Sequence, residues 1–429
     1  MHLVRSPRRR RVARLAVLVL AASLLSGLAM AAQTPDTQAP VALREALQAA
    51  WQHHPSYRAT EAQLAAARAR YDAAGRPLYN PQLDLSYDKA GPERTATTGM
   101  SLTLDVHGKR NARRSAAEAQ VEAATADARL RRRNFVRQWI NGWSDLQTAM
   151  VRTRIGDHRL ALMKRFSELA QKQFAVGDIS GLERDLALLA RDEAQAQQST
   201  LLIEQADAQA RFTGVGGTAS AAGLVSLALA GDSLPSVLAS GGEGLERLPD
   251  WQVAQATMQA AEREVAVARR NRMADPTLGL RGGRKVIGNL TDNVVGVSVS
   301  IPLFVRNSYR AEVVAAQAES DAATANAQRV RLELEADRTR AIASYAATQA
   351  AWQQWRASRG TDTDRRTALL ERMWREGELS TADYLQQLKQ TLDTQLAGAE
   401  LEARLWRTGT DYLAATGQLE AWLGLEGTR

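Results

Sequence analysis

Four histidines lie beyond the first 31 residues, His53, His54, His107 and His158, and they are where metal ligation or acid–base chemistry would begin. None is spaced as HxxxH or HExxH, so no pair sits one helical turn apart to share an ion. No Ser-His-Asp set has a nucleophile elbow around its serine. Residues Gly214-Val215-Gly216-Gly217 have the glycine density of a phosphate turn. They lack the preceding strand and the lysine, and so read as loop. Cysteine is absent, which excludes disulfides, thiolate metal sites, cysteine nucleophiles and a lipid-anchored N-terminus. Acidic side chains are numerous but spread along helix faces, where water solvates them. The chain is expected to be no enzyme and to hold neither metal nor cofactor.

Two short strings remain. Gly177-Asp178-Ile179-Ser180 recurs as Gly377-Glu378-Leu379-Ser380. Glycine accepts the positive φ needed where a helix reverses, and serine caps the helix that follows. Each string therefore reads as the turn between two antiparallel helices, and long helices must position it. The eleven prolines leave residues 93–234 empty, and none follows Pro302. An interior proline costs a helix about 3 kcal/mol, so both stretches can hold unusually long ones. In the first, Ala117, Val121, Ala124, Ala128, Phe135, Trp139, Gly142 and Leu146 follow 4-3 spacing. In the second, Ala311, Ala315, Ala318, Ala322, Ala325, Leu332, Ala336, Ala343 and Ala346 do the same. Such seams predict coiled-coil packing with close helix approach.

The halves repeat each other elsewhere too. Asn80-Pro81-Gln82-Leu83 returns as Asp275-Pro276-Thr277-Leu278, and Gly99 to Leu104 returns as Gly296 to Ile301. The organisation is therefore a leader over 1–31, a first repeat over 32–213, a glycine-rich linker over 214–246 and a second repeat over 247–429. Each repeat carries a helix, two strands, a long helix and a return helix. In the strands Leu83, Leu85 and Tyr87 alternate with Asp84, Ser86 and Asp88. Met100, Leu102, Leu104 and Val106 alternate with polar residues, as do Val295, Val297, Val299 and Ile301, while Leu278 and Leu280 begin a weaker strand. Period-two alternation over about 10 residues suits a transmembrane β-strand. Four strands cannot close a barrel, and lipid forbids open edges, so copies must join: two would give eight strands whose interior side chains fill, three give twelve with room for a passage, and three are expected. A long helix is expected from Gly108 to Val176, roughly 100 Å at 1.5 Å per residue. It is answered by shorter helices over 180–213 and 248–274, by a second descent over 304–375, and by helices 380–424 and 42–79.

Charge adds the compartment. The formal net charge is +8, but Arg5, Arg8, Arg9, Arg10, Arg11 and Arg14 precede the apolar run Leu15 to Leu28 and the exit Ala29-Met30-Ala31. That is the pattern of a cleaved export signal. Without those six arginines the 55 basic residues fall to 49 against 47 acidic ones, which removes any case for nucleic-acid binding. No other segment is long and apolar enough to span a bilayer as a helix.

Across essentially the whole mature chain these residues resemble the TolC family of outer-membrane efflux proteins. Leu43-Arg44-Glu45-Ala46-Leu47 with Pro55 resembles the family's first helix, and the paired strand starts and paired Gly-x-x-Ser turns resemble its internal repeat. Val106-His107-Gly108-Lys109-Arg110 with Arg113, and Ile301 to Asn307, resemble its cobalt-zinc-cadmium branch. The resemblance implies a mainly α protein with a membrane β-barrel: a homotrimer whose twelve-stranded barrel, four strands per chain, sits in outer-membrane lipid and continues into a long periplasmic helical tube. It implies docking to a periplasmic membrane-fusion adaptor and an inner-membrane RND-type pump, with heavy-metal cations as cargo. It assigns adaptor contact to Val176, Gly177, Asp178, Ile179, Ser180, Gly377, Glu378, Leu379 and Ser380, together with Glu376. It places Asp383 where relatives narrow the periplasmic entrance with an acid; the second such position is Gln386 here. A type I secretion conduit and a periplasmic coiled-coil scaffold without a barrel remain as alternatives.

Overall fold

The computed structural model describes residues 38–218, 234–237, 244–358 and 363–425. The expected leader, most of the glycine-rich linker and residues 359–362 of the expected second descent lie outside the described residues.

The chain begins with α1 (Val41–His53) and α2 (Pro55–Ala74). The single helix expected over 42–79 is thus two. His54 adopts extended backbone and its Nδ1 accepts from the Ser56 N–H, capping α2, with Pro55 in the first-turn position where a missing N–H costs nothing. Pro77 then keeps the chain from re-forming helix after Ala74. Strands β1 (Gln82–Ala90) and β2 (Glu93–Thr103) follow, then α3 (Lys109–Val176), 68 residues or about 100 Å long. The return uses α4 (Gly181–Gly214) and α5 (Pro249–Asn271). The second repeat supplies β3 (Thr277–Ile287), β4 (Leu290–Ser300), α6 (Arg310–Ser358), α7 (Thr363–Arg375), α8 (Thr381–Ala415) and the short α9 (Leu419–Trp422). The second descent starts at Arg310, not 304: residues 301–309, which include Pro302 and Tyr309 at φ 52°, are neither strand nor helix.

The strands form one antiparallel sheet in the order β1-β2-β3-β4. Register places Leu83, Met100, Leu280 and Val297 at one level, with Leu102, Leu278 and Val299 a level below. All seven are exposed, so one face of the sheet is an uncovered apolar surface. The other face is polar: Ser101 bonds Asp84 at 2.9 Å, Ser86 meets Thr97 at 2.7 Å, and Lys285 pairs with Glu93. The repeated glycines have a steric role there. Gly99 and Gly296 both face Arg281, and a Cβ at Gly296 would stand 2.9 Å from its Nε.

Helices pack as a layer in which α2 meets α3, α3 meets α5, and α5 meets α6, so α2 and α6 are its edges. The main core lies midway along α3, where Phe135, Trp139, Trp143 and Leu146 meet Phe212 of α4, Trp406 and Tyr412 of α8, Tyr345 of α6 and Leu47 of α1. The first seam is buried or half-buried as expected. The second is not. Ala311, Ala315, Ala318, Ala322, Ala325, Leu332, Ala336 and Ala343 are exposed, and α6 instead turns Val313, Ala316, Ala327, Ala341 and Tyr345 inward. A matching stripe, Ala59, Ala62, Ala66, Ala69 and Ala73, is exposed on α2 at the opposite edge.

Candidate functional site: the helical tips

The far end of the helices from the sheet is formed by two equivalent turns. At the first, Gly177 has φ 84°; its N–H donates to the Phe174 carbonyl at 3.1 Å and the Asp178 N–H donates to Gln173 at 2.9 Å. This double bond pattern is a Schellman stop, and it satisfies two carbonyls the helix end leaves free. Ser180 then opens α4 with a capping box: its hydroxyl accepts from the Glu183 N–H at 3.2 Å, and its own N–H donates to the Glu183 carboxylate at 2.8 Å. The Ser180 N–H and hydroxyl hold the Glu183 carboxyl below its usual range.

The second turn repeats the first. Gly377 has φ 76°, its N–H donates to Trp374 at 3.1 Å, and the Glu378 N–H donates to Met373 at 2.9 Å. Ser380 accepts from the Asp383 N–H at 3.1 Å and donates its hydroxyl to the Asp383 carboxylate at 2.7 Å. Asp383 is therefore the capping partner that opens α8, a role the helix dipole also favours. Asp383 and Gln386 are both exposed and three residues apart, which sets them on one face of α8.

Beneath the turns lies an aromatic floor. Phe166 of α3 stands 4.5 Å from Trp374 and 4.9 Å from Tyr384, and Trp374 and Tyr384 stack at 5.5 Å. Burial, reinforced by Glu371, pushes the Tyr384 phenol up to about 12. The Trp374 Nε1–H donates to Thr381 Oγ1 at 3.2 Å, and the Thr381 hydroxyl reaches Glu183 at 3.4 Å, tying one tip to the other. Ile179 and Leu379 pack against this floor. Val176, Gly177, Asp178 and Ser180, with Glu376, Gly377, Glu378 and Ser380, remain exposed around them. The nine expected tip residues thus form one end surface, split between anchors and exposed positions. Sequence reading missed the floor; its one local signal was Trp374, three residues before Gly377.

A second polar centre sits where strands become helices. Asp275 is buried and meets Tyr79 at 3.0 Å, His107 Nδ1 at 3.2 Å and Lys109 Nζ at 3.0 Å. Burial opposes its ionisation, but the bonds from Lys109, His107 and Tyr79 outweigh that and hold the carboxyl below its ordinary range. Asp105 caps α3 beside it, accepting from the Lys109 and Arg110 N–H groups at 2.7 and 2.8 Å. His107 is engaged here structurally. Among the described residues no group of three or more His, Asp or Glu gathers to hold a metal ion.

A four-stranded antiparallel sheet with an uncovered apolar face, continued by helices of which the longest is about 100 Å and which end in two capped turns, is one protomer's share of an outer-membrane channel fold. The chain belongs to the outer membrane efflux protein family, whose profile matches residues 46–218 and 242–418, and this places the protein in the outer membrane. It is 28% identical over 285 residues to the nickel-cobalt-cadmium resistance protein NccC of Alcaligenes xylosoxydans xylosoxydans, a match covering 64% of each chain. It is 27% identical over 238 residues to the cobalt-zinc-cadmium resistance protein CzcC of Cupriavidus metallidurans, covering 54% of this chain and 56% of that one. The chain thus spans less than two thirds of either relative's length. Among solved structures it is similar to the CmeC outer membrane channel of Campylobacter jejuni, with a TM-score of 0.71 at 15% identity over 92% of this chain and 91% of that one.

Proposed function

We propose that this protein is the outer-membrane conduit of a tripartite efflux system, a homotrimer that passes heavy-metal cations from a periplasmic adaptor and an inner-membrane RND-type pump to the exterior. The observation that carries the reading is the open protomer. Its sheet ends in unpaired edges at β1 and β4, and its helical layer ends in exposed alanine stripes on α2 and α6. A sheet with an apolar outer face needs closure in lipid, and head-to-tail joining of unlike edges closes a ring. The metal cargo rests on the names of the two resistance relatives.

Within this reading the adaptor contacts are Val176, Gly177, Asp178, Ile179 and Ser180 on one tip and Gly377, Glu378, Leu379 and Ser380 on the other. Asp383 and Gln386 line the periplasmic entrance, where three copies of one carboxylate would favour cations. The repeats run over 32–213 and 247–429, joined by the linker 214–246, and the leader 1–31 is removed after Ala31. The test is to delete the gene and measure tolerance to cobalt, zinc, cadmium and nickel alongside crosslinking of the tagged protein in outer-membrane fractions. Metal sensitivity on deletion, with tolerance restored by the gene and crosslinked species stopping at three copies, is the expected result. Unchanged tolerance to all four ions sinks the cargo, and a soluble monomer sinks the conduit.

A further inference from the structure

The apolar face of the sheet carries charge at one end only. By register its residues are 83, 85, 87 and 89 of β1, the even positions 94–102 of β2 and 278–286 of β3, and the odd positions 291–299 of β4. No acid stands among them, and the cations are three: Lys89, Arg94 and Arg284. All three are exposed and crowd the end nearest the Gly91-Pro92 and Gly288-Asn289 turns, away from the helices. The polar face, by contrast, mixes Asp84, Asp88, Glu93 and Asp292 with Arg281 and Lys285.

The arrangement carries an internal cost. Lys89 is directly opposite Arg94 across the strands, and Arg284, paired with Ala96, is Arg94's diagonal neighbour. Like charges directly opposed destabilise a sheet. None of the three has an ion pair or hydrogen bond among the described residues, although acids stand one position away on the other face. Tyr87, exposed and paired with Ala96, shares the level of Arg284, one same-face step below Lys89 and Arg94. Aromatic residues of a barrel's outer face sit at the membrane–water boundary. From Leu102 up to Thr98 the band free of charge is about 13 Å along the strand, and the cations begin at the next level, that of Arg284.

We infer that Lys89, Arg94 and Arg284 form a binding site on the barrel's outer wall for the phosphate groups of an anionic glycolipid in the outer leaflet. This rests on the barrel reading above. The ligand is a lipid and not a free anion, because the cations stand on the face that meets hydrocarbon and an acyl tail would lie down the adjoining apolar band. Each phosphate oxygen is an acceptor for charge-assisted bonds, and arginine's fork suits it. In a closed trimer the site recurs three times around the wall.

The test uses the full-length protein in detergent and in phosphatidylcholine vesicles. Native mass spectrometry follows binding of bisphosphorylated lipid A, of the same glycolipid with its phosphates removed, and competition by inorganic phosphate. Lipid A should bind and the dephosphorylated form should not. K89Q/R94Q/R284Q should weaken lipid A binding about 100-fold, since each cation near an anionic surface contributes roughly a factor of five. The charge-keeping K89R/R94K/R284K should retain binding, which separates loss of charge from misfolding. Equal binding of the two glycolipids, or unchanged binding by the glutamine variant, overturns the site. Competition by millimolar inorganic phosphate overturns the lipid assignment. Failure of the wild type to insert into vesicles overturns the barrel reading and this inference together, whereas insertion without lipid A binding overturns this inference alone.

Discussion

Asp275 holds the sheet to the helices through three partners, and one of them, Lys109, is itself nearly buried. Replacing Asp275 with Ala strands that ammonium, and losing one member of a buried pair typically costs about 3 kcal/mol or more. A lowered midpoint in thermal or denaturant unfolding of the detergent-solubilised protein is expected. Because the native Asp275 carboxyl lies below its ordinary value, its contribution is complete above about pH 4, the usual Asp value, and fades as pH falls through the native one. The variant and the wild type should therefore converge in stability on acidification; a gap that widens at low pH would contradict the assignment. At the tips the strain is purely conformational. A Cβ on Gly177 or Gly377 would meet nothing within 4 Å, so substitution by Val is opposed only by φ, at about 1–2 kcal/mol each. The aromatic floor is untouched by that change. Gly177→Val and Gly377→Val should leave outer-membrane levels normal while metal tolerance falls. Full tolerance at normal levels would leave the glycines as structural stops and withdraw the adaptor contact.

At the scale of elements, the stripe on α6 separates packing within a chain from packing between chains. Ala318 is exposed, whereas Ala316, two residues away, is buried. Ala318→Glu should keep the helix and lower the trimer fraction, while Ala316→Glu should destabilise the protomer itself. Circular dichroism with crosslinking checks both, and equal trimer yield for Ala318→Glu would move the subunit contact elsewhere. This element also shows what the sequence could and could not convey. Four-three spacing gives α6 one seam, Ala311 to Ala346, but alanine contributes so little burial that composition does not say whether that stripe faces its own chain. The strands were plainer, since Leu83-Leu85-Tyr87 and Val295-Val297-Val299 alternate with polar neighbours and a single register slip would invert both faces. The reversals were legible because only glycine fits φ near 80° without strain. Trp374, Tyr384 and Phe166 were not, because 4.5–5.5 Å ring contacts join residues up to 218 positions apart and leave no local period. The split between α1 and α2 is written in Pro55, a signal the run of helix formers on either side of it masks.

For the whole molecule the two edges of the layer make a geometric demand. Ascending α2 offers Ala59, Ala62, Ala66, Ala69 and Ala73, and descending α6 offers Ala311, Ala315, Ala318, Ala322 and Ala325. Read in opposite directions the spacings are the same, so Ala73 matches Ala311, Ala66 matches Ala318 and Ala59 matches Ala325. Two antiparallel helices with small seam residues in register can approach closely, and a ring closed this way buries both stripes without further rearrangement. The absence of cysteine makes the register directly testable. Ala66→Cys combined with Ala318→Cys should, under mild oxidation in intact outer membranes, give a ladder of covalent dimers and trimers that collapses on reduction. A disulfide needs Cα atoms within about 7 Å, so Ala66→Cys with Ala336→Cys, displaced by some five helical turns, should give none. Each single variant should stay monomeric on a reducing or non-reducing gel, because a head-to-tail contact never brings identical residues together. Covalent dimers from Ala318→Cys alone would mean that α6 packs on its own copy, and the contact would then be a two-fold one that cannot close three protomers into a barrel.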